Sequence, residues 1–334
     1  MKKIVTIKDI AHIAGFHHTT VSLALRNSKA LKKETREKIQ ALAVEMGYRA
    51  NLLAQGFRNR RSNTIGLLVP SIQHHFFAKF ISRITELASL TDYSVMVFQS
   101  NEKLATEMRN IDALIDNRVA GVIASVSKET IDGSAFNTFY RENVPVVFFD
   151  RIPKDAIGAK VTVNNFQGAL DAVNLFFENG RKRIAFITGS SHINVYRDRM
   201  EGYKQALSEN NCFCCNELLI EGGFLLEDGI AGAKQLMSLP ERPDAILAVG
   251  DDVAIGAIKY LKSVGVRIPE DIAVIGFDND PMGIAIEPEL TTVEQPVNLM
   301  AEKVLHLLFE AINSDSPLYR EETLNANILR RKSC

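Results

Sequence analysis

The spacing of apolar residues changes near residue 60 of the 334-residue chain. Before that point apolar residues recur at intervals of three and four, a spacing typical of short amphipathic helices. From Thr64 onward, short unbroken runs of Val, Ile, Leu and Phe alternate with amphipathic stretches. Such runs indicate strands of parallel sheets that helices cover on both faces. The pattern predicts a small all-α head followed by a larger α/β body.

Three short helices account for the head. Their apolar stripes are Ile7, Ile10, Ala11 and Ala14, then Val21, Ala24 and Leu25, then Ile39, Leu42, Ala43 and Met46. Thr6 is placed to cap the first helix, Gly15 to turn the chain after it, and Gly47 to end the third. Two helices joined by a tight turn and braced by a third predict a helix-turn-helix unit, whose second helix fits the major groove of DNA.

The stretch GFHHTT puts two histidines at the start of the second helix. Because neighbouring helical residues point about 100° apart, His17 and His18 are poorly arranged to chelate one ion. Both are placed to reach a phosphate or a base edge from the exposed helix start. The side of this helix opposite the apolar stripe carries His18, Thr19, Ser22, Leu23 and Arg26. We expect that side to face DNA.

Nine apolar runs predict the strands of the body. They are IGLLVP, SVMVFQ, AGVIAS, PVVFFD, KVTVNN, RIAFITG, LLIEGG, AILAVGD and IAVIGFD. So many strands, alternating with helices, predict two doubly wound parallel-sheet lobes. In such sheets ligands bind at the carboxyl ends of the strands, which places a ligand site in a cleft between the lobes.

Polar and aromatic residues are candidates for the lining of that cleft. Short polar side chains end several strands, at Asp150, Asn164, Asn165, Asp251 and Asp278. Such side chains are suited to hold vicinal hydroxyls, and Arg199 adds a fork of donors. Aromatic rings suited to cover a sugar ring or a base are those of Phe76, Phe77, Phe224 and Phe277. The alternative for a single acid is helix capping, above all for Asp251 before DVAIGAIKYL.

The distribution of charge distinguishes the head from the body. The net charge is −1, but residues up to Ser62 include thirteen basic and four acidic residues, a net charge of +9 that leaves −10 for the remainder. A basic head on an acidic body predicts that the head binds a polyanion. The alternative is an ordinary solvated charged surface.

Several classes of protein are disfavoured. No apolar run is long enough to span a membrane, and the start of the chain does not read as a secretory signal, so we expect a cytoplasmic protein. GDDVAIG and ITGSS match neither a GxGxxG nor a phosphate-binding loop, and no catalytic or metal motif is present, which predicts no enzyme and no cofactor. Three of the four cysteines lie in NNCFCCN; we expect reduced thiols in a surface loop, with a soft-metal site as the alternative.

The stretches TIKDIAHIAGFHHTTVSLALRN, GYRANLLAQGF and SNTIGLLVPSIQHHFF resemble the lac and galactose repressor family of bacterial transcription regulators. The resemblance extends over essentially the whole chain. It implies that His18, Thr19 and Leu23 read bases and that Thr20 and Ser22 bind phosphates. We also expect Thr6, Arg26 and Asn51 to contact the DNA, together with His17, which stands where a capping serine is common. Leu23 replaces a frequent arginine, and leucine touches a thymine methyl but does not pair with guanine.

The resemblance also implies a hinge helix in NLLAQGFRNRRSN that orders on DNA. Ala54 and Phe57 then face the minor groove, where an apolar wedge unstacks a base step. Alone, the segment reads as a polar linker, because Gly56 weakens a helix and a short helix is unstable in isolation. The alternative for Phe57 is packing on the head.

For the body, the resemblance implies a periplasmic-binding-protein-like fold with discontinuous lobes. The expected domains are residues 1–50 and a hinge at 51–63, followed by lobe 1 at about 64–162 and 292–322 and lobe 2 at about 163–291 and 323–334. The resemblance implies effector contacts at Phe76, Asp150, Arg199, Phe224, Asp251 and Asp278. The ring of Phe277 is an expected contact on the chemical argument alone.

The sequence therefore predicts a homodimeric transcription regulator that acts as a repressor. It is expected to bind a pseudo-palindromic double-stranded DNA operator, under the control of a small effector such as a sugar or sugar phosphate. The alternative is a sugar-binding protein of the periplasmic-binding class without a DNA role, which would share the body but not the basic head.

Overall fold

The fold is that of a computed structural model, which describes residues 5–25, 27–28, 30–48, 62–314 and 316–334. The chain divides into two compact units, Met1–Ser62 and Asn63–Cys334. Residues 49–61 lie outside the described part, so the expected hinge at 51–63 stays a prediction. Among the described residues, no helix is long and apolar enough to cross a lipid bilayer.

The first unit contains the three predicted helices: α1 (Ile7–Ala14), α2 (His18–Leu25) and α3 (Lys33–Glu45). Thr6 caps α1 as predicted: its hydroxyl accepts a hydrogen bond from the Asp9 amide, and its own amide donates to the Asp9 carboxylate. Gly15 then turns the chain with a φ of +72°, a conformation that favours glycine. The helices pack around Ile10, Val21, Ala24, Ile39 and Ala43.

The second unit contains two six-stranded sheets. The first has the order β11-β5-β4-β3-β1-β2 and the second β12-β10-β9-β8-β6-β7. The strands of the first sheet are β1 (Thr64–Val69), β2 (Ser94–Gln99), β3 (Gly121–Ala124), β4 (Val146–Phe149), β5 (Ala159–Val163) and β11 (Glu321–Leu324). The strands of the second sheet are β6 (Ile184–Thr188), β7 (Leu219–Glu221), β8 (Ala245–Ala248), β9 (Ala273–Phe277), β10 (Thr291–Glu294) and β12 (Asn327–Leu329). All nine predicted strands are present.

Helices cover both faces of each sheet, as the apolar runs predict. The longer ones are α4 (His75–Ser89), α5 (Leu104–Asp116), α7 (Asn165–Glu178), α8 (Asn194–Glu209), α9 (Leu226–Met237), α10 (Asp251–Ser263) and α12 (Val297–Ile312). Short helices are α6 (Asn137–Arg141), α11 (Met282–Ala285) and a 3₁₀ turn at Asn216–Leu218. Separate apolar clusters fill the two faces of the first sheet, and a larger cluster surrounds the second.

The points at which the chain passes between the lobes differ slightly from the prediction. The expected crossings, after residues 162, 291 and 322, fall inside β5, β10 and β11. Each of these strands instead lies entirely in one sheet. β5 and β11 pair with each other in the first sheet, and β10 pairs with β9 in the second. The crossings therefore follow residues 163, 294 and 324. β12 is the one antiparallel strand that the described pairings show, at the edge beside β10.

Two glycines let α9 and α10 approach each other. A Cβ atom on Gly229 would lie 2.0 Å from the Val253 carbonyl oxygen, and one on Gly256 would lie 2.0 Å from the Leu226 carbonyl oxygen. Both contacts are with backbone, which a side-chain rotation does not relieve. The close packing of this helix pair thus requires the absence of a side chain at both positions.

We predict that Gly256→Ala lowers the free energy of unfolding by about 1–3 kcal/mol, because the added methyl group forces the two helices apart. Urea denaturation measures this loss. Gly222→Ala is the matched control, since a Cβ there meets nothing closer than Asp228 Cβ at 3.7 Å. Equal losses in the two variants would contradict the packing argument.

Candidate functional site

A polar cavity lies where carboxyl ends of strands from both sheets meet. Five of the seven predicted effector contacts line it: Phe76, Asp150, Arg199, Phe224 and Asp278. The first sheet contributes Asp150 after β4, and the second contributes Asp278 after β9. The carboxyl ends of parallel strands thus bring together residues that are more than 100 positions apart in sequence, as the doubly wound fold predicts.

Two hydrogen bonds and an aromatic ring fix the position of the Arg199 side chain in the cavity wall. Its Nε donates to Asn165 Oδ1 at 2.8 Å, and its Nη1 donates to the Val249 carbonyl oxygen. The guanidinium lies 3.5 Å from the centre of the Phe277 ring. Nη2 is left 3.9 Å from Asp278 Oδ1, beyond hydrogen-bond range. The two groups still lie within ion-pair distance of each other.

Two buried carboxylates lie near Arg199. Gln295 Nε2 donates to Asp278 Oδ1 at 2.5 Å, and burial raises the pKa of Asp278 to about 6 although Arg199 opposes the shift. Burial also raises the pKa of Asp150, against the attraction of Arg151 and Arg199. Each carboxylate is therefore less stable in its ionised form than it would be in water.

Asp251 and Phe277 do not line the cavity, contrary to their prediction as effector contacts. Asp251 Oδ1 accepts from the Thr292 hydroxyl at 2.7 Å and Oδ2 from the Asp280 amide at 2.6 Å, which turns the carboxylate away from the cavity. Nor does Asp251 cap α10, whose N-cap is Gly250. Phe277 is buried, and its ring packs against the Arg199 guanidinium.

Arg151 is the main residue that the sequence reasoning missed. Its side chain lines the cavity and is almost entirely buried, and its Nη1 donates to both carboxylate oxygens of Glu102 at 2.8 and 3.0 Å. Nη2 donates to the Tyr196 hydroxyl at 3.0 Å. Burial disfavours the charge, but Tyr196, Glu102 and Asp150 outweigh it and raise the pKa of Arg151. The one signal in the sequence was its place directly after Asp150 at a strand end.

Arg151 is also surrounded by three aromatic rings. Its guanidinium carbon lies 5.3 Å from the centre of Phe224, 5.6 Å from that of Tyr196 and 5.8 Å from that of Phe77. These distances are within the range of cation–π attraction. Phe224 and Tyr196 belong to the lobe of the second sheet, whereas Arg151 and Phe77 belong to that of the first.

Further contacts join the lobes around the cavity. The amide of Asn194 donates to the Asp150 carbonyl oxygen, and its oxygen accepts from the Ile152 amide, both at 3.0 Å. His192 Nε2 lies 2.5 Å from the Lys128 carbonyl oxygen. In these contacts the first lobe contributes backbone groups and the second lobe contributes side chains.

His74 occupies another side of the cavity. Its Nε2 lies 3.8 Å from Asp278 and 4.0 Å from Asp252, while its Nδ1 is buried without a partner. Burial lowers the pKa of His74, although Asp252 attracts its charged form. A neutral imidazole here has one ring nitrogen available to a ligand.

Two residues that line the cavity each have a buried polar atom without a hydrogen-bond partner. Gln295 Oε1 is an acceptor without a donor, and His74 Nδ1 is a ring nitrogen that donates or accepts according to its tautomer. A hydroxyl group serves both atoms, because it donates one hydrogen bond and accepts others. The cavity leaves about 30 Å³ of space, far less than the roughly 300–1,000 Å³ of typical small-molecule pockets. A ligand of several hydroxyls therefore requires the walls to separate.

The exposed side of α2 carries the residues predicted to face DNA. His17, His18, Thr19 and Leu23 are exposed, and Thr20 and Ser22 are half-buried. The rings of His17 and His18 lie 4.0 Å apart, and His17 Nδ1 lies 2.9 Å from the Thr19 hydroxyl. The Thr6 hydroxyl is bound to Asp9. The other predicted DNA contacts, Arg26, Asn51, Ala54 and Phe57, lie outside the described residues.

Metal binding has no geometric support in the described ranges. No group of three or more His, Cys, Asp or Glu residues there could hold an ion. Cys212 and Cys215 are half-buried as free thiols, while Cys214 is exposed.

Two family models match the chain. Residues 6–51 match "Bacterial regulatory proteins, lacI family", and residues 173–334 match "Periplasmic binding protein-like domain". The "Probable HTH-type transcriptional repressor ExuR" of Bacillus subtilis is 35% identical over 92% of both chains. Catabolite control protein A of Priestia megaterium is 28% identical over 93% of this chain and 94% of its own.

Solved structures with a similar fold cover nearly the whole chain. A complex of the transcriptional regulator CelR with cellobiose has a TM-score of 0.76 and 25% identity, with 99% of this chain and 100% of that one covered. A lac repressor dimer bound to operator and the anti-inducer ONPF has a TM-score of 0.86 and 24% identity, with 99% of each chain covered. The second likeness concerns the fold alone.

The raised pKa of Asp278 predicts a pH-dependent stability. The ionised carboxylate is disfavoured in the folded state, so its contribution is full below the unfolded pKa of about 4 and is lost as the pH rises through about 6. Relative to Asp278→Asn, the wild type should lose about 2 kcal/mol of unfolding free energy between pH 4 and 7. Urea denaturation across this range measures the difference.

Asp271→Asn provides a control of the opposite kind. Hydrogen bonds from Arg267 lower the pKa of Asp271 to about 2, so this group stays ionised in both states over most of the window. Its difference from the wild type should stay nearly constant from pH 5 to 7. A constant difference for Asp278→Asn as well would contradict the burial of an ionisable Asp278.

Proposed function

The chain belongs to the lacI family of bacterial regulatory proteins, and from this membership we propose that it is a repressor whose affinity for operator DNA is set by a small metabolite. One observation carries the proposal. A single chain combines a helix-turn-helix unit with an exposed second helix and an α/β body with a polar cavity between two lobes. The first part is suited to DNA and the second to a small ligand.

The DNA-binding part acts as one half of a symmetric pair. One recognition helix covers only a few base pairs, so two chains bind a pseudo-palindromic operator through major grooves one helical turn apart. The excess of basic residues before Ser62 favours contact with phosphates. Ala54 and Phe57 complete this contact in the minor groove as the proposed hinge residues.

The effector is a hydroxylated metabolite, a sugar or a sugar phosphate. His74 and Gln295, which line the cavity, each have a buried polar atom without a partner, and the rings of Phe76 and Phe224 offer apolar surfaces for a sugar ring. The CelR structure is a complex with cellobiose, which supports a carbohydrate as the class of ligand. Ligand and DNA affinities are coupled only if the ligand prefers one arrangement of the lobes.

The alternative is a sugar-binding protein without a DNA role. The body alone fits that function equally well, but the helix-turn-helix unit at the start of the chain favours the regulator. We also propose that the protein works in the cytoplasm and catalyses no reaction on its ligand. Turnover of a cavity ligand would instead favour an enzyme.

We predict that His18→Ala weakens specific DNA binding by about 1–3 kcal/mol, because one side chain that reads bases is lost. A site selected from random DNA by the wild type serves as the probe, and gel shift at several salt concentrations gives the affinity. Val44→Ala is the control, since Val44 is 81% exposed on α3 rather than on α2. Binding as one chain per site, or an unaltered His18→Ala affinity, would contradict the proposed recognition mode.

Arg199→Gln tests the effector site. A thermal-shift screen of sugars and sugar phosphates identifies a ligand, since 100 times the dissociation constant adds about 2.7 kcal/mol of stability. Calorimetry should then show a loss of about 1.5–3 kcal/mol of ligand affinity in Arg199→Gln, because a charged donor is removed. Arg197→Gln, on the exposed side of the same helix, should bind as the wild type. Wild-type affinity in Arg199→Gln would place the effector elsewhere.

A further inference from the structure

We propose that Glu107 is a positioning residue for Arg151, on which it acts through residues 125–130 and through its own gain or loss of a proton. Glu107 lies on α5, is completely buried in the first lobe and does not line the cavity. A carboxyl group is costly to bury, above all in its ionised form. Its hydrogen bonds connect it to the cavity wall.

Glu107 holds the segment 125–130, which follows β3. Its Oε2 accepts a hydrogen bond from the Ser127 amide at 2.7 Å, and its Oε1 accepts one from the Thr130 hydroxyl. The hydroxyl oxygens of Ser127 and Thr130 lie 2.9 Å apart and share a further hydrogen bond. The carboxyl group and the two hydroxyl groups thus form one buried network.

The same segment is also bonded to Arg151. The Arg151 amide donates to Ser125 Oγ at 3.3 Å, and the Arg151 carbonyl oxygen accepts from the Val126 amide at 3.2 Å. Glu102, which pairs with the Arg151 guanidinium, also accepts from the Lys128 amide at 2.7 Å. All of these contacts lie within the first lobe. A change in the network of this segment therefore reaches Arg151 without any movement between the lobes.

The network accommodates Glu107 with and without a proton. The ionised carboxylate accepts from the Ser127 amide and the Thr130 hydroxyl. The protonated carboxyl group donates to Thr130 Oγ1 instead, and the Thr130 hydroxyl then donates to Ser127 Oγ. Because the Glu107 carboxyl group has partners in both states, the proton enters or leaves without the loss of a hydrogen bond.

The charge on Glu107 acts on Arg151. Burial raises the pKa of Glu107 to about 7, and repulsion by Glu102 adds to the shift. Hydrogen bonds from Thr130 and Ser127 and the attraction of Arg151 oppose it. Glu107 therefore exchanges its proton near neutral pH, and Arg151 has one negative charge fewer in its surroundings at lower pH.

The consequence for an effector rests on the proposed function. Loss of a buried negative charge near Arg151 makes the cavity wall more attractive to an anion. Protonation of Glu107 should therefore favour a sugar phosphate as the pH falls through about 7, and should leave the binding of an uncharged sugar unaffected. The positioning role itself can be tested without a ligand.

An NMR titration of the full-length protein, from about pH 5 to pH 9, covers both states of Glu107. The Ser127 amide reports on the proton of Glu107, because it donates to that carboxyl group. The amide and guanidinium N–H signals of Arg151 report on the effect at the cavity wall. We expect signals of both residues to shift with a common midpoint near pH 7.

Glu107→Gln keeps the shape of the side chain and fixes it in an uncharged form. We expect the Ser127 amide to lose its titration in this variant, and the Arg151 signals to lose the component with the same midpoint.

Other ionisable groups also act on Arg151, namely Asp150, His74 and Asp278. They are present in both proteins, so the comparison of the wild type with Glu107→Gln isolates the contribution of Glu107.

Two further variants complete the test. Glu129→Gln is the matched control, because Glu129 belongs to the same segment but is exposed and accepts from the Leu104 amide instead. It should titrate as the wild type. Thr130→Val keeps the acid and removes a donor to its ionised form, so it should raise the midpoint at Ser127 by about one pH unit or more.

Three results would overturn the proposal: a Ser127 amide that does not titrate in the wild type, an Arg151 titration that Glu107→Gln leaves unchanged, and a midpoint that Thr130→Val does not move. A failed metabolite screen, by contrast, would remove the effector function and leave the titration result standing. The two hypotheses therefore fail separately.

Discussion

Compensation of buried charge around the cavity is the constraint on which the candidate ligand site depends. Removing a guanidinium or a carboxylate from water is costly, and an isolated buried charge is not stable. Arg199 meets this constraint with an amide, a carbonyl and an aromatic ring, all from its own lobe. Arg151 meets it with Glu102 from one lobe and Tyr196 from the other. The first arginine is therefore fixed, while the environment of the second changes when the lobes move.

The fold was largely predictable because its signals are local. The spacing of Ile10, Val21 and Ile39 placed the three helices of the head, and unbroken apolar runs marked nine strands. β10, β11 and β12 were missed because their sequences carry polar residues and lack such runs. TTVE forms β10 by pairing with β9, and EETL forms β11 by pairing with β5. These pairings exist only in the folded chain. That non-local pairing also displaced the expected lobe boundaries.

The site was predictable only in part, for a related reason. Position at a strand end brought Asp150 and Asp278 to the cavity, and the fold guarantees this for any residue so placed. The direction of a side chain is not encoded in that way. Asp251 also follows a strand, as the first residue of α10, yet it bonds to Thr292 and the Asp280 amide, whereas Arg151 enters the cavity beside Glu102. These partners are distant in sequence and have no signature there.

The three crossings after residues 163, 294 and 324 determine how the lobes move. A single covalent link would let two bodies swivel freely, whereas three links side by side resist twisting and sliding and leave bending as the softest motion. In a bending motion about these links, the displacement of a residue grows with its distance from them. Gln295 and Asn164 come directly after two of the crossings, so such bending displaces them little. Contacts between the lobes that lie away from the crossings are therefore the ones that such bending makes and breaks.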